Sequence, residues 1–284
     1  MKRAILLLVF LMPVAHTLFA ESAKIVHYVL TRGNPYSKPY LDAEPVKNVA
    51  LQFAEPVHAS WHLIVEDILW YRCERGAQFF YLPEILVTEA PEKELFDSRG
   101  NIPIGSAPVD ILHPLSLHYR PTDLVPVLPG YKAQGYEWRE MLLRREAAKV
   151  FERLIDHAER EGVNIRIISA FRDAEYQAQL YENAIRRNGM LQNSVAKPGH
   201  SEHQLGTVCD LTSDEINSGL STAFENTMAF QWLKHHRVQY GISLTYPKHK
   251  IQVTGYIYEP WHYRYMGENM WQRQEYNPFT FYAR

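Results

Sequence analysis

The first third of the chain consists of short apolar stretches with the composition of β-strands. β-Branched and aromatic residues at 25–30, 49–53, 61–70 and 78–87 alternate in part with polar ones, and Pro and Gly lie between the stretches. The charged and then Gly- and Pro-containing stretch 90–107 is typical of a loop. We therefore expect residues 21–110 to form a β-rich region. No motif in it carries chemistry, so partner binding and simple packing against the rest of the chain both stay open.

A helical pattern begins after residue 110. Apolar residues recur there at spacings of three and four, which predicts an amphipathic helix that ends at Gly162. This apolar stripe consists of Leu143, Ala147, Val150, Phe151, Leu154 and Ala158. Asp173 can cap a second helix that runs to Asn188, and a third helix is expected over 227–238.

Shorter apolar stretches between and after these helices predict strands. They lie at 163–169, 206–211, 242–245 and 255–258. Because helices come first and most of the strands follow, the expected fold class of residues 111–284 is α+β. We expect a small antiparallel sheet with flanking helices.

The first twenty residues have the order of a secretory signal peptide. Lys2 and Arg3 precede an apolar run at 4–12, and the small residue Ala20 stands where cleavage is expected. A short membrane anchor is the alternative, but Pro13 follows the run, which is shorter than the ~20 residues that a span requires. We expect residues 1–20 to be removed, leaving no stable membrane span in the mature chain. The mature protein is then exported, to the periplasm or another extracytoplasmic cell-wall space.

Composition excludes several classes of protein. Hydrophobic residues make up 46% and charged residues 22% of the 284 positions, which is typical of a folded globular protein. Lys and Arg together number 30 against 32 Asp and Glu, so no nucleic acid is expected as a partner. With 2 Cys the chain is not a disulfide scaffold, and whether Cys73 and Cys209 are bonded stays open.

Two motifs in the second half offer ligands for a metal ion. His203 and Asp210 lie seven positions apart, with Gly206 between them, and an imidazole and a carboxylate are ligands that Zn²⁺ accepts. His262 would add a third ligand, and Glu259 is close enough in sequence to accept a proton from water there. Taken singly, a surface loop around Asp210 and an aromatic core strand around His262 explain these residues at least as well.

A third motif, Ser-Ala-Phe-Arg at 169–172, ends at the turn before the second predicted helix. Arg172 stands in this turn, and Gln177 is one turn into the helix. Because Arg binds carboxylates in a bidentate manner, Arg172 suits the free C-terminus of a peptide. A local cap or salt bridge of Arg172 is the alternative.

In their order and spacing, these motifs resemble the VanY-type zinc D-alanyl-D-alanine carboxypeptidases and their LD-carboxypeptidase relatives. The resemblance covers roughly 112–267 and includes Lys-Pro-Gly-His-Ser-Glu-His-Gln-Leu-Gly at 197–206, Tyr-Gly at 240–241, Tyr-Pro at 246–247 and Glu-Pro-Trp-His at 259–262. It implies the fold that the family shares with hedgehog-type peptidases. The implied activity is removal of the C-terminal D-alanine from peptidoglycan stem peptides, with DD- favoured over LD-carboxypeptidase.

The resemblance also implies a role for each residue of these motifs. The implied ligands of one Zn²⁺ per chain are His203, Asp210 and His262. The implied catalytic base is Glu259. The implied substrate-binding residues are Arg172, Gln177 and Ser201. His200 either orients a ligand or is an ordinary loop histidine. A peptidoglycan endopeptidase and a non-catalytic cell-wall binding module are the alternatives, and Arg172 and Glu259 respectively argue against them.

Overall fold

The structure is a computed structural model that describes residues 26–268 except 31, 67, 90–95, 107 and 191. The predicted signal peptide at 1–20 lies outside the described residues. Five antiparallel strands form an N-terminal sheet in the order β4-β3-β2-β1-β5. They are β1 (Val26–Val29), β2 (Pro56–Val65), β3 (Ile68–Arg75), β4 (Gln78–Pro83) and β5 (Val87–Glu89). The prediction of a β-rich N-terminal region is confirmed.

Two predicted strands of this region are divided by turns. The stretch 61–70 belongs to β2 and β3, which are joined at Glu66 in a left-handed conformation with φ 53°. Neither Gly nor Pro, which are the strongest turn signals, marks that turn. The stretch 78–87 is interrupted after Pro83, because proline has no N–H to continue the ladder, and a 3₁₀ turn at Glu84–Leu86 precedes β5.

The predicted strand at 49–53 is wrong. Its only pairing among the described residues is an isolated bridge between Leu51 and Gly33. Val49 and Leu51 are instead buried in the core of the N-terminal sheet, together with Phe80, and this position requires apolar side chains. Burial alone therefore produced the strand-like pattern.

The described residues after 110 form four α-helices and six strands. These are β6 (Leu124–Pro126), β7 (Leu142–Arg144), α1 (Arg145–Arg160), β8 (Arg166–Ser169), α2 (Ala174–Asn188), β9 (Val208–Thr212), α3 (Met228–His236), β10 (Ile242–Leu244), α4 (Ile251–Thr254) and β11 (His262–Tyr265). Strands β8 to β11 make an antiparallel sheet in the order β10-β11-β9-β8, and β6 pairs with β7. The α+β prediction is confirmed.

The three predicted helices are present with adjusted ends. Leu143 belongs to β7 rather than to α1, and Gly162 follows α1 with φ 77°, as a C-terminal glycine should. The carboxylate of Asp173 accepts a hydrogen bond from the backbone N–H of Tyr176 at 2.8 Å, which caps α2. The predicted strand at 255–258 is wrong, because Gly255 ends α4 and the strand is β11, further along the chain.

Helix α1 packs on one face of the C-terminal sheet. Phe151 and Leu154 of this helix share a hydrophobic core with Cys209 of β9 and with Tyr263 and Tyr265 of β11. Successive side chains of a strand point to opposite faces. The other face of β9 and β11 therefore presents the residues that alternate with these, which are polar apart from Val208 at the start of β9.

The N-terminal sheet contacts the second part of the chain beside the segment 197–203. Thr88 of β5 lies 2.9 Å from His200, and Lys197 donates a hydrogen bond of 3.2 Å to the carbonyl oxygen of Glu84. Cys73 and Cys209 are both free and lie in separate cores. Among the described residues, no helix has the length and apolar composition needed to cross a membrane.

Candidate active site

Strands β9 and β11 bring two of the predicted ligands together. Asp210 and His262 are direct partners in the register of the two strands. Both lie on the face opposite the hydrophobic core, because their neighbours Cys209 and Tyr263 point into that core. His262 Nδ1 is 3.3 Å from Asp210 Oδ1.

A 3₁₀ turn at Glu202–Leu205 brings in the third predicted ligand, His203. The turn ends at Gly206 in the left-handed conformation, φ 70°, and a Cβ there would lie 3.0 Å from a methyl of Leu124. Glycine therefore fits both the conformation and the close packing. His203 Nδ1 donates to the carbonyl oxygen of Ala170 at 2.6 Å, so Nε2 carries the lone pair and faces Asp210 Oδ2 at 3.3 Å.

The donor atoms of this cluster suit a metal ion. One ligand atom from each of His203, Asp210 and His262 lies within 4.8 Å of the other two. All three residues are at most 4% exposed, yet His203 Nε2, Asp210 Oδ1 and His262 Nδ1 have no hydrogen-bond partner. Buried polar atoms are rarely left in this state. Two imidazole nitrogens and a carboxylate oxygen, with a position left for water, are the donor set of a catalytic Zn²⁺ site.

The same three groups shift one another's pKa. Burial alone would raise the pKa of Asp210, but His203 and His262 outweigh it and hold that pKa well below its usual range. Burial and the positive charge of Arg172 lower the pKa of His203 to about 4. Burial opposes the charged form of His262, but the carboxylates of Asp210 and Glu202 raise its pKa to about 9. With that pKa, His262 carries an additional ring proton near neutral pH, and a cation bound between these donors would replace this proton.

Glu259, the predicted base, lies at the edge of this cluster. Its Oε2 is 3.6 Å from His262 Nδ1, and its backbone N–H donates to the carbonyl oxygen of Tyr246 at 3.1 Å. Burial raises the pKa of Glu259 to about 7, with the nearby negative charge of Asp210 adding to the effect and the positive charges of His262 and Arg172 opposing it. A carboxyl group with such a pKa can both accept and release a proton near neutral pH.

The three predicted substrate-binding residues are all at least partly buried. Arg172 is half-buried, its Nε has no hydrogen-bond partner, and its backbone N–H donates to the carbonyl oxygen of His203 at 3.3 Å. Gln177 of α2 is buried, with its Nε2 bonded to the carbonyl oxygen of Ala196 at 2.8 Å and its Oε1 without a partner. Ser201 is buried immediately before the 3₁₀ turn.

His200 bonds to other groups than the three ligands. Its Nδ1 donates to the carbonyl oxygen of Asp110 at 2.7 Å, and its Nε2 accepts from Thr88 Oγ1 at 2.9 Å. Both ring nitrogens are thereby occupied, one by the loop before β6 and the other by the N-terminal sheet. His200 joins these parts of the fold.

The sequence predicted no role for two buried charged residues, Glu202 and Arg264. Glu202 Oε2 lies 3.0 Å from His262 Nε2, and Glu202 Oε1 accepts a hydrogen bond of 2.6 Å from Arg264 Nη1. Burial opposes its charged form, but Arg264 and His262 lower the pKa of Glu202 to about 2. The one available signal was that Glu202 stands next to a predicted ligand.

The cluster lies within the part of the chain that matches a known protein family. The VanY family, described as D-alanyl-D-alanine carboxypeptidase, matches residues 140–268. The chain is 34% identical over 154 residues to the putative carboxypeptidase YodJ of Bacillus subtilis, which covers 53% of this chain and 56% of that relative. It is 31% identical over 179 residues to the bifunctional D-Ala-D-Ala dipeptidase and D-Ala-D-Ala carboxypeptidase VanXYC of Enterococcus gallinarum, covering 59% of this chain and 90% of that relative.

A solved structure has a similar fold. The LdcB LD-carboxypeptidase, described in relation to peptidoglycan recognition, aligns with a TM-score of 0.53 and 30% identity, over 60% of this chain and 81% of that one. This likeness agrees with the predicted fold. The chain spans little more than half of the Bacillus subtilis relative, 56% of its length.

Proposed function

The chain belongs to the VanY family of D-alanyl-D-alanine carboxypeptidases, and from this membership we propose that it is an exported zinc carboxypeptidase acting on peptidoglycan. Its reaction is hydrolysis of the last peptide bond of a stem peptide, with release of the C-terminal D-alanine. The observation that carries the proposal is the set of three buried donor atoms on His203, Asp210 and His262, which lie within 4.8 Å of one another and lack partners.

In this proposal the three donors hold one Zn²⁺, and Glu259 moves the proton. Zn²⁺ bound there would polarise the scissile carbonyl and lower the pKa of a neighbouring water molecule. Glu259 accepts a proton from the attacking water at its carboxylate and passes it to the nitrogen of the departing D-alanine. Burial raises the pKa of Glu259, which suits a group that both takes up and returns a proton.

The carboxylate of the substrate is assigned to Arg172. Its guanidinium has an unpartnered buried Nε, and its charge acts on both His203 and Glu259, so it lies close to the reacting bond. Gln177, with an unpartnered Oε1, and the buried Ser201 complete the binding residues. Fixing the terminal carboxylate aligns the last peptide bond with the metal and with Glu259.

The stereochemistry of the bond gives a second candidate. The Enterococcus gallinarum relative cleaves D-Ala-D-Ala, which favours a DD-carboxypeptidase. The likeness to LdcB favours an LD-carboxypeptidase as the second candidate. Either substrate ends in the same carboxylate, so Arg172 serves both. A peptidoglycan endopeptidase would have no such carboxylate at this position.

The division and location of the chain are part of the proposal. Residues 1–20 act as a signal peptide, 21–110 form a β-rich accessory region, and 111–284 form the catalytic domain. The working place is then the periplasm or another extracytoplasmic cell-wall space, where stem peptides are found.

Mass spectrometry of purified muropeptides tests the proposal. The protein without residues 1–20 is incubated with them, with and without a zinc chelator. Loss of one alanine from pentapeptides, abolished by the chelator, is the expected result. Loss from tetrapeptides alone would identify the LD activity, and cleaved crosslinks would identify the endopeptidase. Unchanged muropeptides would overturn the proposal.

A further inference from the structure

One candidate ligand of the metal centre is held by a carboxylate outside the ligand set. Glu202 Oε2 lies 3.0 Å from His262 Nε2, and its Oε1 accepts a hydrogen bond from Arg264 Nη1 at 2.6 Å. The side chains of Glu202, His262 and Arg264 are 1%, 3% and 5% exposed. Water therefore contributes little to holding these groups, and their geometry depends on one another.

The arrangement follows from local structure. His262 and Arg264 are two residues apart on β11, so both side chains point to the same face of the sheet. Glu202 meets them from the 3₁₀ turn that also carries His203. The turn thus supplies one candidate ligand directly, and with the adjacent residue it holds another.

An ionised carboxylate only accepts hydrogen bonds, which fixes the tautomer of His262. With Glu202 at Nε2, that nitrogen carries the hydrogen, and the lone pair of Nδ1 is left for the metal centre. Asp210 Oδ1, 3.3 Å from Nδ1, is the competing acceptor for a ring hydrogen. Without Glu202, a hydrogen on Nδ1 would satisfy Asp210 and would block the ligand atom.

Arg264 keeps Glu202 available for this role. An isolated buried carboxylate is costly, and a charge-assisted hydrogen bond from a guanidinium offsets much of that cost. Because Arg264 occupies Oε1, only Oε2 is directed at His262.

We propose that Glu202, held by Arg264, is a positioning residue that fixes His262 in the orientation and tautomer that present Nδ1 to Zn²⁺. The inference rests on the zinc site of the proposed function and is independent of the substrate. Loss of Glu202 should therefore weaken zinc binding, which can be measured without turnover.

The Glu202→Gln variant tests the inference with nearly unchanged volume. Arg264 has no acceptor atom, so the amide oxygen of the new side chain turns toward Arg264 and its NH₂ group faces His262 Nε2. That group donates, so it favours the hydrogen on Nδ1, which is the wrong tautomer. Loss of such a partner of a metal-binding histidine lowers metal affinity about 10- to 100-fold.

Glu146→Gln is the matched control. Glu146 of α1 accepts a hydrogen bond of 2.6 Å from the hydroxyl of Tyr265. Tyr265 belongs to the same strand as His262 but points to the opposite face of the sheet. The zinc dissociation constants of the wild type and both variants are measured by competition with a chromophoric chelator, and circular dichroism monitors the fold. We expect Glu146→Gln to bind zinc as the wild type does and Glu202→Gln to bind it about 10- to 100-fold more weakly. Equal affinities of all three proteins would overturn the inference.

A measurement on the wild type covers the case in which Glu202→Gln does not fold. In the zinc-loaded, ¹⁵N-histidine-labelled protein, His262 should show a slowly exchanging Nε2–H proton shifted downfield by Glu202. Absence of that proton would overturn the inference. If the wild type binds zinc but releases no D-alanine, only the proposed function fails; if it binds no zinc, both fail.

Discussion

Replacing Arg172 by Ala should remove recognition of the substrate's terminal carboxylate. A buried charge-assisted pair that loses one partner costs about 2–5 kcal/mol, and the lower part of that range applies because Arg172 is only half-buried. A cost of about 2–3 kcal/mol corresponds to an approximately 30- to 160-fold loss in kcat/KM. The change also removes a positive charge that lowers the pKa of His203 and Glu259, so the rate alone would not isolate carboxylate binding.

A cycle of two proteins and two substrates separates these effects. Mass spectrometry follows the release of D-alanine from a soluble pentapeptide ending in D-Ala-D-Ala. It also follows the release of D-alaninamide from the C-terminally amidated form of that peptide. The wild type should cleave the free acid about 30- to 160-fold faster than the amide, and Arg172→Ala should cleave the two alike. Arg172→Lys keeps the charge but not the bidentate fork, so its preference should lie between them. If Arg172→Ala keeps the wild-type preference for the free acid, the assignment of Arg172 is wrong.

Three further predictions concern the base, the pH dependence and the N-terminal region. Glu259→Gln should keep zinc and fold but lose about 10²- to 10⁴-fold in kcat, as zinc analysis and turnover would show; near-normal turnover would mean that another group moves the proton. Burial lowers the pKa of His200 from 6.5 to about 4, so as the pH falls the unfolded protein protonates this residue before the folded protein does. The contribution of His200 to the free energy of unfolding is therefore fully present above pH 6.5 and is lost toward pH 4. Between pH 7 and 5 this loss is about 2 kcal/mol, and urea unfolding should show a smaller pH dependence in His200→Gln; an identical dependence would contradict it. A chain that starts at residue 96 should still cleave the soluble pentapeptide, whereas a start at 111 removes the buried Ile102 and should lower the melting temperature; equal melting of the two would count against this packing argument.

The sequence predicted the residues that meet in the cluster because motif and local structure agree there. His203 and Asp210 flank Gly206, whose left-handed conformation ends the 3₁₀ turn, and these are relations between near neighbours. His262 joins Asp210 through the strand register, although the strand itself was expected at 255–258. Resemblance to the family, rather than periodicity, carried that part of the prediction.

What the sequence did not predict depends on contacts between distant residues. Glu202 looks like an ordinary charged residue in the sequence, and its burial depends on Arg264 and His262, which are 62 and 60 positions away. The role of His200 depends on Thr88, 112 positions away in the N-terminal sheet. In the hairpin of β2 and β3, Glu66 adopts the left-handed conformation, which is uncommon for glutamate and is therefore not predicted from the residue type.

The most direct test of the account is a zinc titration of the metal-stripped protein with two readouts. Zinc bound per chain and D-alanine released from a soluble pentapeptide are measured at each addition. Activity should be absent without metal and should rise in proportion to bound zinc, reaching its maximum at one equivalent. In the His203→Ala, His262→Ala double variant both readouts should stay near zero. Activity that persists in the stripped protein, or stoichiometric zinc bound by the double variant, would contradict it.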